Sequence, residues 1–428
     1  MSYSDAVRFL YELRWFGAKF GLQNTFRLAE LAGNPQKKLR FIHVAGTNGK
    51  GSTCAMLESI YRHAGLRVGL FTSPHLVAFC ERIQVNRRFI PEDEVARLVA
   101  AIKPLLSQFS NDQHPTFFEV VTVMALLYFA AQNCDLVIWE TGLGGRLDAT
   151  NIVQPIASVI TNIQYDHQKY LGESLASIAG EKAGIIKPGV PSVTGTEAPE
   201  ALAVLTQTAA QVRSPLTIVR PEEARRAPLD AIHLPLLGDH QKMNAAVALA
   251  TVRVLQQQIP IDDETIQIGL SRVQWAGRLQ VVTRASGQKI LLDAAHNMGG
   301  AESFAAALKG YFAGMRPLLI LGILQDKDWQ HMCRILAPLS DHILLVPVHS
   351  ERSAEPHGLA EVCRMANPQS RVEECSGLPD ALAKVSEAGF VAIVGSLYLV
   401  GEAMEVLHLT AGQREGERSL NEWSVRQG

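Results

Sequence analysis

A chain of 428 residues exceeds the length at which one hydrophobic core usually suffices, so two domains are expected. With 40 Lys and Arg against 42 Asp and Glu, the formal net charge of −2 leaves no polyelectrolyte surface, which argues against nucleic acid or an anionic membrane as a partner. The 6 cysteines include no CxxC pair and read as reduced thiols of a cytoplasmic protein, with no zinc site.

The first residues, MSYSDAVRFLYELRW, lack the basic start and unbroken apolar block of a signal peptide. Apolar residues at helical spacing predict helices over 5–15 and 25–32, the latter ended by Gly33-Asn34-Pro35. The intervening FGAKFGLQN fits either a loop at a substrate's edge or a plain surface connection. Next comes FIHVAGTNGKGST, residues 41–53, with a short buried strand, a glycine-rich loop and the first turn of a helix from Ser52. Glycines let backbone N–H groups converge on a phosphate, a helix N-terminus adds partial positive charge, and Lys50 supplies a cation. The usual phosphate-loop consensus has Ser or Thr directly after the Lys, whereas here Gly51 intervenes before Ser52. A lone glycine turn with a solvated Lys is the bland alternative; strand before and helix after favour a nucleotide triphosphate on Asn48, Gly49, Lys50, Gly51 and Ser52.

Beyond it, 52–64 is a helix closed by Gly65, and 67–71 a strand. TSPHL follows at the carboxyl end of that strand, where open parallel sheets place ligands. Ser73 can offer an oxygen to Mg²⁺, though a Ser-Pro turn explains the same residues. A strand over 82–86 and a helix over 91–109 precede a mostly apolar helix over 116–132. The apolar run from 117 to 131 is interrupted by Glu119 and falls short of the roughly 20 residues of a membrane span. The strand over 136–139 ends on Glu140, a carboxylate well set either for Mg²⁺ or for a capping bond. Another strand, 158–161, leads to Asp166-His167, and a helix over 174–186 carries Lys182. Strands over 191–195 and 217–220 flank a helix over 200–212. PEEARRAPLD reads as a surface insertion or hairpin, and GDHQKMNAA opens a long helix with Gln241 and Asn244 near its start. Trp275-Ala276-Gly277-Arg278 marks a junction, after which strands over 289–292, 318–321, 342–347 and 390–394 alternate with helices. Asp293 and His296-Asn297 close the first of those strands, and the last residues, AGQREGERSLNEWSVRQG, are polar and expected to fray.

The motifs GTNGKGS at 46–52, TSPHL at 72–76, ETGLGGRLDATN at 140–151, GDHQKMNAA at 238–246, GR at 277–278, LDAAHN at 292–297 and LGILQDKDW at 321–329 stand in one order along the chain. In that order the sequence resembles folylpolyglutamate synthase, a branch of the Mur ligase superfamily. The resemblance implies an α/β fold with a mostly parallel, P-loop-containing sheet domain over 1–275 and a smaller Rossmann-like α/β domain over 276–428. It implies ATP on the phosphate loop with Asn244, Arg278 and Asp293, and a folate against Thr116, Phe118, Gly145, Arg146 and Asp148. It further implies one Mg²⁺ on Ser73 and Glu140, and a second on His167 and a carbamylated Lys182. On hardness grounds imidazole is an atypical Mg²⁺ ligand, and an unmodified ammonium would be repelled, so these last two roles rest on the resemblance alone. Lys50, His167, Lys182 and His296 would serve the chemistry. Family proteins have Pro where Ala276 stands, so a looser hinge is expected here.

The implied reaction is ATP-dependent amide formation. A folate carboxylate takes the γ-phosphoryl group, and the acyl phosphate is attacked by the amine of L-glutamate. A monomer using only small-molecule substrates is expected, with dihydropteroate left open as an alternative acceptor. The competing readings are a Mur-type ligase on a UDP-linked sugar, a P-loop kinase or NTPase, and a non-catalytic nucleotide-binding module.

Overall fold

The computed structural model of the chain describes residues 1–17, 21–410 and 417–422. Its organising strand is β1 (Phe41–Ala45), buried along its whole length, as a parallel strand covered on both faces must be. Around it stand β2 (Val68–Phe71), β3 (Ile83–Val85), β4 (Arg88–Phe89), β5 (Leu136–Glu140), β6 (Ala157–Ile160), β7 (Ser192–Thr194) and β8 (Leu216–Ile218). The order is β4-β3-β2-β5-β1-β6-β7-β8, parallel except for β3 and β4, which pair antiparallel at one edge. Val44 lies opposite Glu140 and Ala45 opposite Ile160, so the chain leaves the three central strands at one level. That register places the phosphate loop, Glu140 and Thr161 side by side.

One face of this sheet is covered by the Lys50–His63, Asp239–Val254 and Asp263–Ser271 helices, which pack together. The Phe117–Ala131 helix covers the other face, where Trp139 stacks on Phe71 and meets Phe129 edge-on in a buried aromatic cluster. Glu119, the residue that interrupts the apolar run, caps this helix. Its carboxylate accepts from the Thr116 backbone N–H at 2.7 Å and from the Thr25 hydroxyl at 3.2 Å. Among the described residues no helix is long and apolar enough to cross a membrane. All 6 cysteines are buried, and none is in a disulfide.

A second sheet comprises β9 (Gln280–Thr283), β10 (Lys289–Asp293), β11 (Leu318–Leu321), β12 (His342–Leu345), β13 (Arg371–Glu374) and β14 (Phe390–Val394). Its order is β13-β12-β11-β14-β10-β9, parallel but for β9 at the edge. The sheets have separate apolar cores, although Leu76 of the TSPHL loop and Val77 just after it pack into the second.

Several expectations need correction. The first helix ends at Glu12 and tightens into a 3₁₀ turn, and the helix carrying Lys182 stops at Ala183 rather than 186. The PEEARRAPLD segment makes short 3₁₀ turns on the Asp239–Val254 helix, not a hairpin. Within the polar C-terminal stretch, Glu417–Asn421 forms a buried 3₁₀ turn instead of fraying, while 411–416 and 423–428 lie outside the described residues. Residues 18–20 of the FGAKFGLQN loop also lie outside them, but Gly17 and Gly21 border the central cavity.

Candidate active site

The carboxyl ends of both sheets border one cavity of about 570 Å³. Its floor is the phosphate loop, which begins its helix at Lys50, two residues before Ser52. Gly49 caps that helix in a left-handed conformation, φ +83°, and a Cβ there would lie 2.3 Å from the Asn244 side-chain oxygen. Only glycine meets both conditions. The Asn48 N–H donates to Asn162 Oδ1 at 2.8 Å, and Lys50 Nζ folds back on the carbonyls of Gly46 and Thr47 at 3.0 and 3.2 Å. Among the described residues the lysine hydrogen-bonds to carbonyls of its own loop, from which it can be released to an incoming phosphate.

Beside the loop, the Ser73 N–H donates to Glu140 Oε2 at 3.0 Å. Burial pushes the Glu140 pKa up to about 7, with Lys50 the largest opposing influence, so the carboxylate is short of positive charge. Among the described residues no group of three or more His, Cys, Asp or Glu side chains is placed to hold a metal. One carboxylate and one hydroxyl still suit Mg²⁺, which commonly takes few protein ligands and completes its shell with phosphate oxygens and water. The His167 and Lys182 pair is different. Lys182 is 4% exposed, its Nζ donates to the Gly46 carbonyl at 2.9 Å, and burial followed by repulsion from Lys50 lowers its pKa to about 7. His167, in a left-handed conformation, has its pKa lowered to about 3 by burial and then by Lys327, whose Nζ lies 3.4 Å from its Nε2. An amine and an imidazole facing an ammonium fit a second cation only if Lys182 becomes an anion.

The remaining expected residues divide into those that line the cavity and those that support it. Thr116 caps its helix and lines the cavity with Phe118, whose ring packs over Gly142. Asp148 borders the same chamber, but its carboxylate is occupied by the N–H of Leu143, the N–H of Thr150 and the Thr150 hydroxyl. Gly145 and Arg146 are not in the cavity wall. Gly145 lies against the Lys182 backbone, and the Arg146 guanidinium pairs with Glu181 at 2.7 Å. From the second sheet, Arg278, Asp293 and His296 reach the cavity. Asp293 accepts from the N–H groups of Leu279 and Ala295, and His296 donates through Nδ1 to the Ala294 carbonyl at 2.8 Å, which aims its Nε2 across the gap.

Residues without a role assigned from the sequence complete the closure. Asp166 pairs with Lys327 of the second half at 2.6 Å, both side chains nearly buried, and accepts from Asn297 at 3.0 Å. Burial opposes ionisation of Asp166, yet Lys327, followed by His296 and His167, holds its pKa well below the usual carboxylate range. Asn48 and Asn297 exchange side-chain amide bonds at 3.0 Å. Asp-His and Asp-Lys-Asp at strand ends were the available signals; that Asp166 meets Lys327, 161 positions away, is tertiary information.

This arrangement matches known proteins along nearly its whole length. The profile of the Mur ligase middle domain matches residues 44–194, and that of the Mur ligase glutamate ligase domain matches 277–397. The folylpolyglutamate synthase structure from Thermotoga maritima superposes with a TM-score of 0.81 at 33% identity, covering 97% of this chain and 98% of that one. For the Mycobacterium tuberculosis folylpolyglutamate synthase complexed with ADP and AMPPCP, the TM-score is 0.83 at 31% identity, covering 92% and 96%. The dihydrofolate synthase/folylpolyglutamate synthase of Bacillus subtilis is 37% identical over 428 residues, 94% of this chain and 98% of the relative. The chain belongs to the folylpolyglutamate synthase family.

As a folylpolyglutamate synthase family member it is an ATP-dependent ligase of acids and amino acids, with the two-part α/β architecture of the Mur ligases. The reading as a ligase of UDP-linked sugars is not favoured, because the whole-length relatives are folate ligases.

Proposed function

We propose that the chain joins L-glutamate to a folate through an acyl phosphate. The observation that carries this reading is the single cavity bordered at once by the phosphate loop, the Thr116–Phe118 chamber and the strand ends of the second sheet. ATP would bind with its phosphates on the N–H groups of 48–52 and Lys50, and its nucleoside toward Asn244, Arg278 and Asp293. The folate would lie against Thr116 and Phe118, with its carboxylate toward Ser73 and Glu140. Lys50 would stabilise charge gathering on the transferred phosphoryl group, and His296 would reach the same oxygens from the opposite side. Closure of the two halves would exclude water, so that the acyl phosphate meets an amine first.

Ser73 and Glu140 would hold Mg²⁺, which supplies charge neutralisation for the phosphates. Lys182 has the buried, readily neutral amine that carbamate formation requires, and His167 with that carbamate would hold a second Mg²⁺. Gly145, Arg146 and Asp148 serve in this reading by shaping the folate chamber. The two halves are assigned to 1–275 and 276–428, in a cytoplasmic monomer with small-molecule substrates and no nucleic-acid partner.

Mass spectrometry of products from purified protein with ATP, Mg²⁺, L-glutamate and either tetrahydrofolate or dihydropteroate tests the reading and reports which acceptor is used. Glutamate-dependent ADP release with an added glutamyl mass is expected, and ADP release without glutamate would favour a kinase or NTPase. Lys50→Ala should lower product formation by about 100-fold or more with the fold intact. Undiminished synthesis by the folded variant would remove Lys50 from the mechanism.

A further inference from the structure

Arg82 lies in the cavity wall beside Thr116–Glu119, 3% exposed, and its hydrogen bonds run to neutral acceptors. Its Nε–H donates to His75 Nδ1 at 2.8 Å and its Nη2 donates to Asn421 Oδ1 at 2.6 Å. Glu81, the adjacent carboxylate, is taken up by the N–H groups of Leu76, Val77 and Ala78. Because a guanidinium only donates, His75 Nδ1 must accept, and the ring hydrogen sits on Nε2, which donates to the Glu417 carbonyl at 2.9 Å. The Asn421 Nδ2 then donates to the His75 carbonyl at 2.9 Å and closes the ring of contacts.

The segment that supplies Asn421 is tied to both halves of the molecule. Glu417 accepts from the Tyr3 hydroxyl at 2.9 Å and the Phe79 N–H at 2.8 Å, while Glu422 accepts from Arg352 Nε at 3.0 Å. A guanidinium buried on neutral acceptors is costly, and that cost is offset when an anion arrives. Both organic substrates of the proposed reaction carry carboxylates.

We propose that Arg82 receives a substrate carboxylate and that Asn421, from the C-terminal segment, is the positioning residue that aims it. The inference rests on the ligase reading for its substrates, and the anion has two sources with one chemistry. These are a carboxylate of the pteroyl substrate and the α-carboxylate of free L-glutamate. Planar, bidentate recognition by guanidinium suits both.

Isothermal titration calorimetry with pteroylglutamate, with L-glutamate in the presence of AMPPCP and Mg²⁺, and with AMPPCP alone separates the possibilities without requiring turnover. Asn421→Asp places a carboxylate on Arg82 at the expense of the donation to the His75 carbonyl, and in the folded variant one carboxylate ligand should bind at least about 10-fold more weakly. AMPPCP binding should stay within about 2-fold. Loss for pteroylglutamate alone assigns Arg82 to the folate, and loss for L-glutamate alone assigns it to the incoming amino acid. Asn421→Ala should weaken the same ligand with a lowered Tm, and it provides the measurement if the Asp variant does not fold. Unchanged binding of both carboxylate ligands by a folded variant overturns the inference. The ligase reading is judged separately, on whether the wild-type protein makes the amide.

Discussion

His43 stands in the middle of β1 with no exposed surface. The Thr150 hydroxyl gives its hydrogen to Asp148, so its oxygen accepts from His43 Nε2–H at 2.9 Å, leaving Nδ1 buried without a partner. Burial, with a smaller repulsion from Lys187, lowers the imidazole pKa from 6.5 to about 3. The unfolded chain takes up this proton near pH 6.5 while the folded chain refuses it until about 3, so the stabilisation is complete above pH 6.5 and lost as pH falls through that window. The slope is about 1.4 kcal/mol per pH unit. His43→Gln should therefore lose about 2 kcal/mol less than wild type between about pH 7 and pH 5 in denaturant titrations. Equal losses would show that His43 is protonated in the fold.

At the scale of elements, the helix bearing Lys182 is set by the turn beneath it. Arg146 N–H donates to the Glu181 carbonyl at 2.7 Å, Asn151 donates to the carbonyls of Arg146 and Gly184, and a Cβ on Gly184 would lie 2.3 Å from the Arg146 Cβ. Overpacking of this kind costs about 1–3 kcal/mol, so Gly184→Ala should lower Tm by several degrees and displace Lys182. Turnover should fall with it; wild-type Tm and amide formation in the variant would contradict this account. The turn also shows where sequence reading stopped. Strands with continuous apolar character, such as β11 and β14, were legible because both faces are buried. The short edge strand β4 and the polar β13 carry no such pattern and pair only because a neighbour offers its edge. Glycine-rich GLGGR signalled a turn correctly, yet whether its Arg146 faces a ligand or Glu181 depends on a helix 35 positions away. Asn421 lay in a polar tail with no local signal at all.

For the whole molecule, the two halves are joined across the cavity by Asp166 with Lys327 and by Asn48 with Asn297. Truncating one member of a nearly buried ion pair typically costs about 3–5 kcal/mol, most of it from the charge left behind. Lys327→Met should thus favour an opened arrangement, seen as a larger radius of gyration in small-angle scattering, with turnover reduced at least about 10-fold and AMPPCP binding within about 3-fold of wild type. An unaltered radius with full turnover would make this bond dispensable. The connector between the halves begins at Trp275, and its indole lies against Gly51, where an added Cβ would come within 2.9 Å of the ring. The glycine that sets this phosphate loop apart from the common pattern is thereby the ledge on which the connector rests. Re-engineering the loop toward the ordinary spacing would jam the joint as well as re-site a hydroxyl, so nucleotide grip and the freedom of the two halves to swing cannot be tuned independently in this chain.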